Sequence, residues 1–223
     1  MADLLKDKVC IITGSARGIG KEIAILFAEE GATVIVNDAS VGEADRWIEA
    51  SPLKDSFDAV YFDITDPEVV RKNVMSIKKK YGHIDVLVNN AGTEFNELIG
   101  MISRENMEKM FRVNVYGTIE MLQTVSRVMS RNSNGGSIIN ISSMVGLRGN
   151  AGQLVYSATK GAVIALTKSA AGSFLTEQDY DLIVLDVNLP DGNGFDFCRE
   201  VKERRPDTAI IFLTANDMES DML

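Results

Sequence analysis

At 223 residues, 45% apolar and 25% charged, the chain has the balance of an ordinary globular protein, long enough for one large α/β domain or two small ones. Its net charge of −9 argues against nucleic acid and anionic membrane as partners, and no apolar run approaches the roughly 18 residues of a membrane span. An acidic N-terminus without a signal-peptide core and two cysteines, Cys10 and Cys198, expected as buried thiols, point to a reducing, cytoplasmic setting.

The first element is the apolar run Val9-Cys10-Ile11-Ile12, too short for a helix and therefore a buried strand. Thr13-Gly14-Ser15-Ala16-Arg17-Gly18-Ile19-Gly20 follows. Lys21 to Glu30 then carries apolar residues at helical spacing and stops at Gly31. A strand, a glycine turn and a helix opening on that turn aim backbone N–H groups and the positive helix end at an anion. The spacing is Gly-x3-Gly-x-Gly, not G-x-G-x-x-G. A plain tight turn uses such glycines too; the flanking strand and helix favour a nucleotide phosphate cradle.

A second strand, Thr33 to Asn37, ends at Asp38. A carboxylate at this place accepts hydrogen bonds from an adenosine ribose and repels a 2′-phosphate, so Asp38 favours NAD over NADP; a solvated strand-end acid is the alternative. Arg17 pulls the other way. A helix over about 41–51 precedes a strand from Ala59 to Phe62 ending at Asp63-Ile64. Asp66-Pro67 then caps a helix running to Lys78-Lys79-Lys80. The only histidine, His83, reads as structural. Strand Asp85 to Val88 leads into Asn89-Asn90-Ala91-Gly92, and a long helical region covers about 103–131, with the polar Asn114 among apolar neighbours. After Gly135-Gly136, a strand from Ser137 to Ile141 ends at Ser142-Ser143. Tyr156-Ser157-Ala158-Thr159-Lys160 opens an alanine-rich helix to about Ala171. Alternating strands and helices mean a three-layer, doubly wound parallel sheet of the Rossmann kind.

Residues 7–171 resemble the short-chain dehydrogenase/reductases, within them the 3-oxoacyl-carrier-protein reductase type. The carrying residues are Thr13-Gly14-x3-Gly18-x-Gly20, Asn89-Asn90-Ala91-Gly92, Asn114, Ser143 and Tyr156-x3-Lys160. The resemblance implies Tyr156 as proton donor to a ketone reduced by a nicotinamide hydride, and Ser143 as a hydrogen-bonding partner of the same oxygen. Lys160 would hold the nicotinamide ribose and Asn114 a proton-relaying water. Gly14, Ser15, Arg17, Gly18, Ile19, Gly20, Asp38, Asp63, Ile64, Asn90, Ala91, Gly92, Tyr156 and Lys160 would bind NAD, with NADP possible. Tyr156 and Lys160 at i,i+4 share a helix face, and a nearby ammonium is expected to lower the phenol's pKa. The family also pairs its helices into a homodimer or tetramer, here by the stripe Ile119, Leu122, Val125 and Val128 and by Ala162, Val163, Ala165, Leu166 and Ala170. A core within one chain would use the same stripes.

The resemblance stops after about residue 172. Residues 173–223 hold 12 acidic and four basic residues, against 20 and 19 in the rest. Glu177 to Gly194 resembles the middle of a response-regulator receiver domain. Asp186 stands at its phosphate-accepting position, Phe195 to Arg205 at its next helix, and Ala209 to Ala215 at the following strand with Thr214. The receiver's acidic pair and its last-strand lysine are missing, so Asp186 is expected to be a vestigial acceptor, and no metal site is expected. The reading is an engineered chimera, one Rossmann-like domain over 1–223. In it, a flavodoxin-like strand–helix–strand over 173–223 completes a sheet of about seven strands begun by 1–172. Replacing the substrate lid is expected to spare cofactor binding more than turnover. A catalytically silent fusion scaffold is the alternative, and a phospho-receiver the third reading. Asp186 and Asn188 would lie near the nicotinamide in that arrangement.

Overall fold

A computed structural model describes residues 3–174, with side chains to 171, and the strands at 182–186, 188–189, 192–193 and 209–213. The chain forms two compact units, Met1–Gln178 and Asp179–Leu223.

The first unit is built on five parallel strands: β1 (Val9–Thr13), β2 (Thr33–Asp38), β3 (Phe57–Tyr61), β4 (Val86–Asn89) and β5 (Ser137–Asn140), in the order β3-β2-β1-β4-β5. β1 is buried at every position, as an unbroken apolar run in a sheet covered on both faces must be. Alternate side chains feed two cores. Ile11, Ile35 and Leu87 pack with Val70, Val74 and Ile77 of α3 (Pro67–Tyr81) and Met121 and Val125 of α5 (Thr118–Met129). Cys10, Ile12, Val34, Val36 and Val88 pack on the other face with Ala24 and Ala28 of α1 (Gly18–Glu29) and, at its margin, Trp47 and Ile48 of α2 (Asp45–Glu49). The chain steps outward from β1 to β3 and then crosses back to place β4 on the other side of β1. The sheet's direction therefore reverses between the ends of β1 and β4, where such folds open a crevice for ligands.

Local signals act where the sequence places them. The Asp66 carboxylate accepts from Glu68 N at 3.0 Å and Val69 N at 3.1 Å, and Gly82 ends α3 with φ 86°. Lys80, in the last turn of α3, pairs with Asp58 at 2.8 Å. His83 Nε2 lies 3.2 Å from both Asp7 O and Asp85 Oδ2 at the start of β4, consistent with a structural role. The long helical region is α4 (Arg104–Phe111), a π-helical turn (Arg112–Gly117) and α5, with Asn114 inside the π turn. The loop expected after Ser143 holds a short helix, α6 (Val145–Arg148), ahead of α7 (Leu154–Phe174). Val125, Val128 and Val163 of the two apolar stripes lie in the core, whereas Ile119 and Ala165 are exposed.

The second unit contains β6 (Leu182–Asp186) and β9 (Ala209–Leu213), paired in parallel from Leu182↔Ala209 to Asp186↔Leu213. A short antiparallel pair, β7 (Asn188–Leu189) and β8 (Gly192–Asn193), accompanies them. The α/β class is as expected, but the strand count differs: the first unit's sheet has five strands, and β6 and β9 form a two-stranded sheet in the second unit. Cys198, the helix expected over Phe195 to Arg205, and Thr214 lie outside the described residues. Asp186 and Asn188 fall in strands whose side chains do too. No helix among the described residues is long and apolar enough to cross a membrane, and no group of three metal-ligating side chains occurs among them.

Candidate active site

The carboxyl ends of β1 and β4 are tied together by Thr13. Its hydroxyl donates to Val88 O at 3.3 Å and accepts from Asn90 N at 3.1 Å and Ala91 N at 3.0 Å. Asn90 Nδ2 returns to Thr13 O at 2.9 Å and Gly14 O at 3.1 Å. These bonds press the two loops together. A Cβ on Gly20 would stand 2.5 Å from Asn90 Nδ2, and one on Gly14 would stand 2.8 Å from Ala91 Cα. Gly18 is different. Its φ of 57° disfavours any side chain, yet a Cβ there would meet no atom within 4 Å. The glycine at the helix start thus faces open space, while the other two accommodate Asn90 and Ala91. Arg17, the N-cap residue, makes no side-chain cap bond, so the first amides of α1 remain available as donors. These features fit a dinucleotide's pyrophosphate. Ile19, 68% exposed, lies at the same turn.

Ser15 is bonded within the protein. Its hydroxyl donates to Ile12 O at 2.6 Å and accepts from Asn37 N, while its own amide donates to Asn37 O at 2.9 Å. With every donor engaged, it braces the loop against β2. Asp38, at the end of β2, uses Oδ1 to accept from Ser40 N at 3.0 Å. Asp63 likewise accepts from Thr65 N at 2.8 Å and is exposed. Ile64 turns its side chain into the core, where a Cβ on Gly117 would meet it at 2.7 Å.

The remaining residues converge from β5, α6 and α7. Ser143 N-terminally anchors α6, its carbonyl accepting from Gly146 N at 2.9 Å and its hydroxyl from Val145 N at 3.4 Å, and the hydroxyl is near enough to Tyr156 to favour the phenolate. Lys160, buried, donates from Nζ to Ile141 O at 2.9 Å and lies 5.8 Å from the Tyr156 ring centroid. Asn114 is walled in: Oδ1 accepts from Thr93 N at 2.8 Å, and Nδ2 donates to Thr93 O at 2.9 Å and Thr159 Oγ1 at 3.0 Å. Its side chain is therefore occupied by protein and joins the π turn to α7 one residue before Lys160.

The expected lowering of the Tyr156 pKa is reversed. Burial of the ring and the Glu94 carboxylate hold the phenol above its ordinary 10.0, outweighing the Ser143 hydrogen bond that favours the phenolate. Burial also lowers Lys160 from 10.5, with Glu94 opposing. The ammonium that was expected to act on Tyr156 is directed at the Ile141 carbonyl instead.

Two residues, Thr159 and Glu94, were given no role from the sequence, and Thr13 was named only as part of the glycine motif. Thr13 is fully buried at the junction, Thr159 receives Asn114, and Glu94 acts on both Tyr156 and Lys160. Glu94 follows Gly92 in a loop with no periodic signal; only its nearness to Asn89-Asn90-Ala91-Gly92 in sequence hinted at a place in the site.

A short chain dehydrogenase family model matches residues 8–180, and a response regulator receiver domain model matches residues 148–223. The 3-oxoacyl-acyl-carrier-protein reductase of Thermotoga maritima is 43% identical over 168 residues, covering 75% of this chain and 68% of the relative. The sorbitol dehydrogenase of Cereibacter sphaeroides is 39% identical over 192 residues, 86% of this chain and 74% of its own. Among solved structures, a gluconate 5-dehydrogenase from Burkholderia cenocepacia in complex with NADP and tartrate superposes with a TM-score of 0.74 at 30% identity, over 83% of this chain and 72% of that one. An NAD+-bound xylitol dehydrogenase gives 0.74 at 28%, over 89% and 76%.

Proposed function

The chain belongs to the short-chain dehydrogenase family, and on that footing we propose that its first unit is a nicotinamide-dependent oxidoreductase interconverting a ketone, the 3-oxoacyl class included, and a secondary alcohol. The observation that carries this reading is the approach of Ser143, from the segment between β5 and α6, to Tyr156 and Lys160 on α7, braced by the bond from Asn114 to Thr159.

The glycine turn and the start of α1 hold the pyrophosphate, Asp38 the adenosine ribose, and Lys160 the nicotinamide ribose. Asp38 makes NAD the favoured form. The bound nicotinamide supplies the hydride for reduction, or accepts it for oxidation. Tyr156, kept neutral by burial and Glu94, donates its phenolic proton to the carbonyl oxygen, so one hydride and one proton convert C=O to CH–OH. The Ser143 hydroxyl orients that oxygen and the phenol. Lys160, whose Nζ donates to the Ile141 carbonyl and lies 5.8 Å from the Tyr156 ring centroid, would in its ammonium form stabilise the phenolate left behind. Phe at position 156 removes only the proton donor: Tyr156→Phe is expected to lose at least 100-fold in kcat while binding NADH as tightly as the wild type. Unchanged turnover in that variant would overturn the assignment.

Residues 173–223 are read as a receiver-derived segment fused to this unit, in keeping with the second family match, with Asp186 a vestigial acceptor. This reading makes the protein a chimera whose cofactor site outlasts efficient turnover. Exposed Ile119 and Tyr116 on the α5 side of the unit favour self-association.

A further inference from the structure

Lys160 is held at both ends by the segment that leaves β5. Ile141 N donates to Asn89 O at 2.9 Å, which keeps that segment on the sheet, and Ile141 O accepts from Lys160 Nζ at 2.9 Å. The next residue takes the main-chain end: Ser142 Oγ donates to Lys160 O at 2.8 Å. A carbonyl has two lone pairs, so it accepts this hydroxyl without giving up a helical bond. α6 comes down on the same place. A Cβ on Gly146 would lie 2.7 Å from Lys160 C and 2.8 Å from Gly161 N, and one on Gly161 would lie 3.2 Å from Gly146 O. The Lys160–Gly161 peptide is therefore met from both sides of Ser143, by Ser142 before it and Gly146 after it.

Ser143 acts on α7 one turn earlier, at Tyr156. Two consecutive residues thus address positions four apart on the helix, about 6 Å along its axis. Consecutive Cα atoms are only about 3.8 Å apart, so a fixed Ser142 leaves the Ser143 hydroxyl little freedom to move along α7. Resting on the dehydrogenase reading above, we infer that Ser142 is a positioning residue, whose bond to the Lys160 carbonyl sets the register of the β5–α6 segment along α7 and so holds the Ser143 hydroxyl beside the Tyr156 phenol. Gly146 permits the close approach, because any side chain there would lift α6 from the Lys160–Gly161 peptide. Without the Ser142 hydroxyl, the segment keeps its bond to the long and flexible Lys160 side chain but loses its bond to the helix backbone.

The test uses the full chain and removes the Ser142 hydroxyl while Ser143 stays in place. The Tyr156 phenolate midpoint is read in each protein as the ultraviolet difference from its Tyr156→Phe counterpart, and kcat with NADH and a 3-oxoacyl thioester. The Ser143 hydroxyl favours the phenolate, so its displacement raises the midpoint. Ser142→Ala is expected to raise it by at least about 0.4 pH unit and to lower kcat at least about tenfold, with NADH affinity within about twofold of wild type. Ser142→Thr, which keeps a hydroxyl, is expected to match the wild type. In a Ser143→Ala background, the further change Ser142→Ala is expected to add nothing. Glu94 and Lys160, which face the phenol, are the same in all these proteins. An unchanged midpoint or kcat in Ser142→Ala overturns the inference, as does an equal effect with and without Ser143. So does a loss of NADH affinity as large as that of kcat, or a Ser142→Thr protein as impaired as Ser142→Ala. Should Ser142→Ala fail to unfold cooperatively, Ser142→Cys, near in size but a weaker donor, takes its place. Should the wild type reduce no thioester, the 3-oxoacyl reading fails by itself, and the midpoints alone decide the role of Ser142.

Discussion

Asn114 Nδ2 donates to Thr159 Oγ1 at 3.0 Å, so a π-helical turn ahead of α5 is bonded directly to the helix that carries both Tyr156 and Lys160. Both partners are almost wholly buried. Removing the amide in Asn114→Ala leaves Thr93 N–H and C=O and the Thr159 hydroxyl short of a partner in a water-poor site. A loss of about 2–4 kcal/mol in urea unfolding is expected. Followed by Trp47 fluorescence, the measurement reports the first unit alone, since Trp47 is the only tryptophan. A change under about 0.5 kcal/mol would show that the bond does not brace the site.

The three turn glycines separate structure from ligand binding. Gly20→Ala brings a methyl within 2.5 Å of Asn90 Nδ2 and 2.6 Å of Gly14 O; stability and NADH affinity are expected to fall together. Gly18→Ala meets no protein atom, and its φ of 57° adds only about 1–2 kcal/mol of strain. Its methyl occupies the space at the helix start, so NADH affinity should fall more than tenfold. A Gly18→Ala protein that binds NADH like the wild type would remove the pyrophosphate from that turn.

The raised pKa of Tyr156 has a definite sign. A phenol whose folded value lies above 10.0 contributes stability that is complete below pH 10 and fades as pH rises through the folded value. Lys160, lowered from 10.5, does the reverse: its buried charge weighs on stability at lower pH, and the burden lifts as pH rises through its folded value. The difference in ultraviolet phenolate titration between wild type and Tyr156→Phe should therefore show a midpoint above 10. A midpoint below 10 would mean that Lys160, not burial and Glu94, governs the phenol.

Much of this site was legible because its chemistry is carried by short spacings. Gly14 to Gly20 between an apolar run and a helix, and Tyr156 with Lys160 at i,i+4, are local patterns, and local patterns survive in a sequence. What was not legible depends on contacts across the chain. That Asn37, 22 residues away, bonds the amide and hydroxyl of Ser15 could not be read from the motif. Lys160 looks directed at Tyr156 until the end of β5 offers the Ile141 carbonyl. Glu94 joins the site only because Gln153 lies opposite it. The strand total missed for a similar reason: an apolar parallel strand reads the same whichever sheet it belongs to, and β6 and β9 form a two-stranded sheet of their own.

Trp47 connects α2 to the cradle, its indole Nε1 donating to Ala16 O at 2.9 Å. Loss of one neutral hydrogen bond, about 0.5–1.5 kcal/mol, predicts that Trp47→Phe weakens NADH binding about two- to tenfold. Wild-type tryptophan emission should change on binding. Affinity equal to wild type in Trp47→Phe would show that the loop holds its shape without α2.

The most direct measurement is a fluorescence titration of the whole chain with NADH and, separately, with NADPH. An assembled cradle with Asp38 at the ribose predicts saturable binding of both, tighter for NADH, because the Asp38 carboxylate repels a 2′-phosphate. Failure of either nucleotide to bind, in a protein whose Trp47 emission still reports cooperative unfolding, would contradict the account.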